Sequence, residues 1–181
     1  EYPDLEKLGV ECFRGDLKDP LKVEEACNDV DAVFHVASHV ALWGPWKTFY
    51  ETNVIGTRNL IEACQKQGVK KLIYTSTPSV AFDRKDLVDA DESTPDPKSY
   101  LSNYPKSKKI AENEVLAANG PELLTVSLRP HLIWGPRDNH LIPGILEKAK
   151  SGALKIIGDG KNQVDFTYVE NVSQAHLCAL D

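Results

Sequence analysis

Short runs of β-branched and apolar residues alternate along the chain with segments whose apolar residues recur at steps of three and four. That alternation is the signature of a parallel sheet assembled from βαβ units. The strand runs are Val10 to Arg14, Ala32 to Val36, Lys71 to Thr75 and Leu124 to Leu128, each expected to be buried on both faces. Between them, Asp19 and Pro20 open a short helix over Leu21 to Asn28. A longer helix is predicted from Thr48 to Gln67, with Phe49, Asn53, Gly56, Leu60 and Cys64 on one face and Gly68 as its left-handed stop. A third helix runs from about Asn103 to Asn119, where Asn119-Gly120-Pro121 ends it.

After the fourth strand the segment WGPRDNH is turn chemistry, followed by a helix from Leu141 to Lys150 closed by Ser151-Gly152. Short strands are predicted at Lys155 to Ile157 and Val164 to Tyr168, with a last helix from Glu170. One long loop separates Thr77 from Asn103, and loops of that length in compact domains usually serve function.

At 181 residues and 41% hydrophobic, the chain suffices for one core. Its 21 basic and 27 acidic residues give a net charge of -6, and no basic run exceeds two residues, which argues against a nucleic-acid surface. Cys12, Cys27, Cys64 and Cys178 are widely spaced within apolar stretches and read as reduced core residues of a cytoplasmic protein. They form no C-x-x-C pair, and no metal is expected. No apolar run reaches the roughly 20 residues of a membrane span, and the first residues, EYPDLEKLG, lack the pattern of a signal peptide.

Tyr104 and Lys108 lie four apart on the third predicted helix, so phenol and ammonium project from one face. A fixed cation beside a tyrosine favours the phenolate, and a shift of roughly 2 to 3 units brings the group within reach of general acid-base work. The spacing alone is weak, because with six tyrosines about half of such chains match by chance. What strengthens it is the hydroxyl run Thr75-Ser76-Thr77 at the C-terminal end of a strand, the edge where open α/β sheets bind ligands.

With these residues assembled, the sequence resembles the extended short-chain dehydrogenases/reductases, and within them the 3β-hydroxysteroid dehydrogenase/isomerase branch. The matching stretches are GDLKD, DAVFHVAS, TNVIGT, KKLIYTSTPSV, YPKSK, LRPHLIWGPRD and GDGKNQVDFTYVENV, which together span nearly the whole chain. The resemblance implies a Rossmann-like, doubly wound α/β sheet binding NAD or NADP. It assigns Tyr104 as the acid/base, Lys108 as the group that holds the nicotinamide ribose and lowers the tyrosine pKa, and Thr77 in the place usually held by serine. Asp16 and Leu17 are implied at the adenine, Val36, Ala37 and Ser38 along the cofactor, Asn53 facing it, and His131 at the nicotinamide amide.

The family opens with a glycine-rich strand-to-helix turn that cradles the pyrophosphate, and no such segment stands in this sequence. The expectation is therefore a partial Rossmann domain over residues 1–181, lacking the first βαβ unit and most of the C-terminal substrate lobe. Residues from about 139 lead into that lobe. Those that decide between NAD and NADP fall in the missing part.

Two groups within the branch look most alike, reductases of 2-alkyl-3-oxo acids, which are preferred, and dehydrogenases of 3β-hydroxysterols bearing a carboxylate. Both imply a small hydrophobic substrate, and the resemblance allows a homodimer. Trp43, Trp46 and Phe49 follow the second strand and are candidates for an apolar wall, although packing on the next helix is the commoner fate. A sugar-nucleotide epimerase or dehydratase shares the same triad but calls for a more polar loop than ALWGPWKTFY. A non-catalytic nucleotide-binding regulator on this fold has no need of Thr77, Tyr104 and Lys108 together.

Overall fold

In a computed structural model, residues 3–139, 141–156 and 158–181 are described. Their elements run α1 (Pro3–Glu6), α2 (Pro20–Ala26), β1 (Ala32–His35), α3 (Trp46–Phe49), a π-helical turn (Tyr50–Ile55) and α4 (Gly56–Gln67). There follow β2 (Lys71–Thr75), a 3₁₀ turn (Pro78–Val80), α5 (Asn103–Ala117), β3 (Leu124–Leu128), β4 (Ile133–Trp134), α6 (Leu141–Lys150), β5 (Thr167–Tyr168) and α7 (Val169–Leu180). Strands β1, β2 and β3 pair in parallel in that order, Phe34 opposite Ile73 and Ile73 opposite Val126. A separate parallel pair joins β4 to β5.

The core lies on one face of the sheet. Leu72 and Tyr74 of β2 point into a cluster with Val23 of α2 and its C-cap Cys27, Leu60, Ile61 and Cys64 of α4, and Ala111 and Val115 of α5. On the opposite face α7 covers β2, with its His176 ring 6.2 Å from that of Phe34. Helices on both sides of a parallel sheet make this the Rossmann-like α/β architecture that the sequence pattern predicts. Local signals act as expected: Asp19 caps α2 by accepting from Leu21 and Lys22 N–H, and Gly68 ends α4 at φ 74°.

Four expectations change. Residues 10–14 form no strand, because no described strand lies along the outer edge of β1 to take up their backbone hydrogen bonds; they run exposed. Burial on both faces holds for β2 alone: Phe34, Leu124 and Val126 remain partly exposed because α7 covers only the middle of its face. No strand forms at Lys155 and Ile156, while Ile157 lies outside the described residues, and only Thr167–Tyr168 of the following run is paired. Of the cysteines, Cys27 and Cys64 are core residues in contact with each other, whereas Cys12 and Cys178 are exposed. Among the described residues no helix is long and apolar enough to cross a membrane.

The predicted helix over 48–67 is one rod from Trp46, but it is wound in two ways. At Gly56 the N–H reaches back five residues to Glu51 O, the mark of a π turn. Gly56 also lets residue 17 approach, since a Cβ there would stand 2.8 Å from Leu17 Cβ. Asn59 Nδ2 donates to Leu17 O at 2.8 Å, so the loop carrying Asp16 and Leu17 is pinned to this rod.

Candidate active site

The C-terminal ends of β1, β2 and β3 deliver the predicted residues to one edge of the sheet. Val36 and Ala37 lie exposed just past β1, and Ser38 follows half-buried. Thr75 ends β2 with Ser76 and Thr77 just past it, and Ser76 N–H donates to Leu128 O, which holds that segment in line with the end of β3. His131 comes three residues after β3, half-buried, its carbonyl accepting from Thr167 N–H at 3.1 Å. Asp16 is exposed, and the Lys18 backbone N–H, donating at 2.9 Å, holds its carboxyl below the ordinary value.

Helix α5 brings Tyr104 and Lys108 to that edge. The Tyr104 phenol is half-buried, which raises its pKa, a rise that the neighbouring Thr77 hydroxyl partly offsets; Thr77 Oγ1 itself accepts from Ser79 N–H at 3.3 Å and donates to Ser79 Oγ at 3.2 Å. Lys108 is buried to 2% exposure, and its Nζ donates to Thr75 O at 2.7 Å while lying 4.1 Å from the centre of the Tyr74 ring. Burial lowers that ammonium to about 7, against a smaller opposing pull from Glu112. A correction follows for the expected depression of the tyrosine pKa by Lys108: in this arrangement desolvation dominates the phenol, and the ammonium is committed to Thr75 and Tyr74. Thr77, Tyr104 and Lys108 are nonetheless brought together as the spacing predicts.

Asn53 also differs from expectation. Its Oδ1 accepts from His39 N–H at 2.6 Å and Ser38 Oγ at 3.2 Å, and its Nδ2 donates to His39 O at 3.1 Å and Ser107 Oγ at 2.9 Å. A carboxamide has two donors and two acceptor lone pairs, so the protein itself fills all four. Asn53 therefore joins the loop after β1 to α5 instead of presenting a free group to a cofactor.

Several buried polar residues around this site were passed over in the sequence. His35 (3% exposed) pairs through Nε2 with Thr57 Oγ at 2.8 Å, and burial together with the Lys108 charge lowers its imidazole to about 3. Glu112 is fully buried and receives Arg129 through Nε at 2.9 Å and a second guanidinium nitrogen at 2.6 Å, with Ser127 Oγ at 3.1 Å. Burial alone pushes the Glu112 carboxyl up, but Arg129 and its other partners hold it below the ordinary value. Lys109 bridges Glu112 to Asp96 at 2.7 Å and so ties the long loop to α5. The readable signal was a polar residue at a position where the helix or strand pattern demands an apolar one.

A cleft of about 620 Å³ opens beside the start of α5, walled by Leu42, Trp43, Tyr100, Leu101 and Lys106 among others. Trp43 is 80% exposed there, and Asn103 Nδ2 donates to Gly44 O at 2.9 Å to hold the wall in place. Trp46 does not line the cleft. Its ring packs 5.5 Å from that of Tyr50 with Lys106 Nζ 4.7 Å above it, and Phe49 is buried against His39, so these two side chains take the packing fate.

The chain is 46% identical over 183 residues to a 2-alkyl-3-oxoalkanoate reductase of Stenotrophomonas maltophilia, covering 99% of this chain and 55% of that protein. It is 43% identical over 175 residues to human sterol-4-alpha-carboxylate 3-dehydrogenase, decarboxylating, covering 95% of this chain and 47% of the relative. Among solved structures, the Thermus thermophilus UDP-glucose 4-epimerase complex with NAD superposes with a TM-score of 0.77 at 31% identity, over 95% of this chain and 60% of that one. The chain thus spans about half the length of the curated relatives it matches. Residues 2–181 match the model of the 3-beta hydroxysteroid dehydrogenase/isomerase family, and the chain belongs to that family.

Proposed function

We propose that this chain forms the nucleotide-binding part of an NAD(P)-dependent oxidoreductase that interconverts a secondary alcohol and a ketone on a hydrophobic substrate. One observation carries the reading: the buried Lys108 Nζ donates to Thr75 O at 2.7 Å, which docks the helix that carries Tyr104 one turn earlier onto the strand end that leads to Thr77. The substrate class proposed is a 2-alkyl-3-oxo acid or a 3β-hydroxysterol carrying a carboxylate. Relatives at 43 to 46% identity bear oxidoreductase names, which supports that class, and the exposed Leu42, Trp43 and Leu101 give one side of the cleft an apolar surface beside its polar Lys98, Ser99 and Lys106.

The donor set suits a nicotinamide dinucleotide. Exposed backbone at Val36 and Ala37 and a buried cation at Lys108 stand at the C-terminal end of the sheet, and an exposed Asp16 carboxylate stands in the loop pinned to α4. In this proposal Asp16 and Leu17 hold the adenosine end, Val36, Ala37 and Ser38 flank the middle, and His131 and Lys108 reach the nicotinamide end. Residues from about 139 lead toward the substrate-binding part. The cofactor, when bound, supplies or accepts the hydride.

Chemistry at the chain's own atoms is a single proton transfer. In the reductive direction Tyr104 gives its phenolic proton to the carbonyl oxygen, and in the oxidative direction its phenolate takes the hydroxyl proton. Thr77 orients the substrate oxygen toward that phenol. Lys108, its Nζ held on Thr75 O at 2.7 Å, fixes the end of β2 against the helix that carries Tyr104 and is placed to hold the nicotinamide ribose.

The test is Tyr104→Phe in the intact protein. Turnover of a 2-alkyl-3-oxo acid with NADH or NADPH should be lost while cofactor affinity stays within about twofold, because one proton donor is removed and little else. A variant with the wild-type kcat would sink the assignment.

A further inference from the structure

Ser107 takes no part in the chemistry above, yet it is fully buried within the same helix. Its Oγ donates to Tyr104 O at 2.8 Å and accepts from Asn53 Nδ2 at 2.9 Å, across 54 residues of sequence. A serine that bonds only to the carbonyl one turn back is commonplace in helices and implies nothing. Here the same oxygen also receives Asn53, whose remaining bonds close on Ser38 and His39. Ser107 is therefore the joint between the loop after β1, the π turn and the first turn of α5.

That joint is braced from behind. Thr57 Oγ donates to Asn53 O at 2.6 Å, inside the π turn where the backbone pattern is shifted, and His35 supports Thr57 in turn. Along this path His35, Thr57, Asn53 and Ser107 are all buried. In a water-poor interior each bond is enforced, because a lost partner leaves a polar group unsatisfied.

We propose that Ser107 is a positioning residue for the tyrosine: it fixes the first turn of α5, and with it the direction of the Tyr104 phenol, to the loop that carries Ser38. The inference rests on the reading of Tyr104 as proton donor. Ser107→Ala deletes the joint and spares every side chain assigned to the reaction, and alanine is the better helix former.

The experiment is steady-state kinetics of the intact protein in H₂O and D₂O, with a 2-alkyl-3-oxo acid as substrate. In Ser107→Ala, kcat should fall by about tenfold with cofactor and substrate KM within about twofold, since a donor misplaced by a fraction of an ångström loses much of its alignment. The solvent isotope effect on kcat should rise, because proton transfer becomes more rate-limiting; a loss of folded protein lowers kcat but leaves that ratio unchanged. Ser107→Thr, which keeps the hydroxyl, should restore both. Should the alanine variant not fold, Ser107→Cys, nearly isosteric with a weaker donor, should show the same changes at smaller size.

Unchanged kcat, or a lower kcat with the wild-type isotope effect, in whichever of these variants folds would overturn the proposal. Wild-type turnover in Tyr104→Phe would instead overturn the underlying functional reading. An inactive Tyr104→Phe beside a fully active Ser107→Ala removes the positioning role alone.

Discussion

His35 Nε2 stands 2.8 Å from Thr57 Oγ, and Thr57 gives its hydroxyl proton to Asn53 O at 2.6 Å. A threonine hydroxyl has one proton, so its oxygen can only accept from the imidazole. His35 is therefore the tautomer protonated at Nε2, and it is neutral: a second proton has to enter a site 3% exposed and facing the Lys108 charge.

This sets a pH dependence. The folded state holds the His35 pKa at about 3 against an ordinary 6.5, so below 6.5 the unfolded chain binds a proton that the native one refuses. The stabilisation is complete above that value and is lost progressively as pH falls toward 3. His35→Gln keeps an N–H donor without the titration. Urea midpoints should show its stability falling less steeply than wild type between pH 6 and 5, by about 1.4 kcal/mol per pH unit. Equal slopes would mean that His35 is protonated in the folded protein.

Glu112→Gln should be strongly destabilising. The carboxylate is fully buried and takes two Arg129 nitrogens, and its neutral replacement leaves the guanidinium without its ion-pair partner, while Lys109 keeps Asp96. Removing one partner of a buried pair costs about 3 kcal/mol, somewhat less here because Arg129 is partly exposed. Denaturant unfolding measures it, and a cost under about 1 kcal/mol would place the pair among ordinary surface bridges.

Gly56→Ala separates helix propensity from packing. Alanine gains about 1 kcal/mol as a helix former, but its Cβ would meet Leu17 Cβ at 2.8 Å. Overpacking costs about 1 to 3 kcal/mol, so stability should change little or fall, while the Asp16–Leu17 loop shifts and NAD(P) affinity drops several-fold. Calorimetry and cofactor titration together decide. Unaltered affinity would detach that loop from the cofactor.

The tryptophans should behave differently. With wild type, kcat/KM should climb across a homologous series of 2-alkyl-3-oxo acids, by up to about fourfold per methylene buried. Trp43→Ala should flatten that climb, since Trp43 walls the cleft, whereas Trp46→Ala should lower the melting temperature and leave the slope intact. A flat wild-type profile would return the cleft to solvent.

Legibility followed the range of the interactions involved. Asp19, Gly68 and the Tyr104–Lys108 spacing act within a turn or two of themselves, so their roles could be read from neighbours in sequence. The rest depends on what the fold brings up from afar. Asn53 meets Ser107 across 54 positions, and Arg129 meets Glu112 across 17; no local pattern announces either. The π turn hid for a related reason, because Phe49, Asn53 and Leu60 keep steps of three and four that a plain α-helix would also show. Trp46 and Trp43 are three residues apart and chemically equivalent, yet only the helix start at Trp46 decides which one packs and which one is left in the cleft.

The distribution of the four cysteines gives the molecule an internal reporter. Cys27 and Cys64 face each other across the α2–α4 contact, and burial pushes the Cys64 thiol up to about 12, whereas Cys12 and Cys178 lie open to solvent. Thiolate is the reactive species, so an alkylating reagent should modify two sites at once and the other two only when α2 lifts from α4. The ratio of the slow labelling rate to that of a free thiol then gives the free energy of that local opening, with no probe introduced.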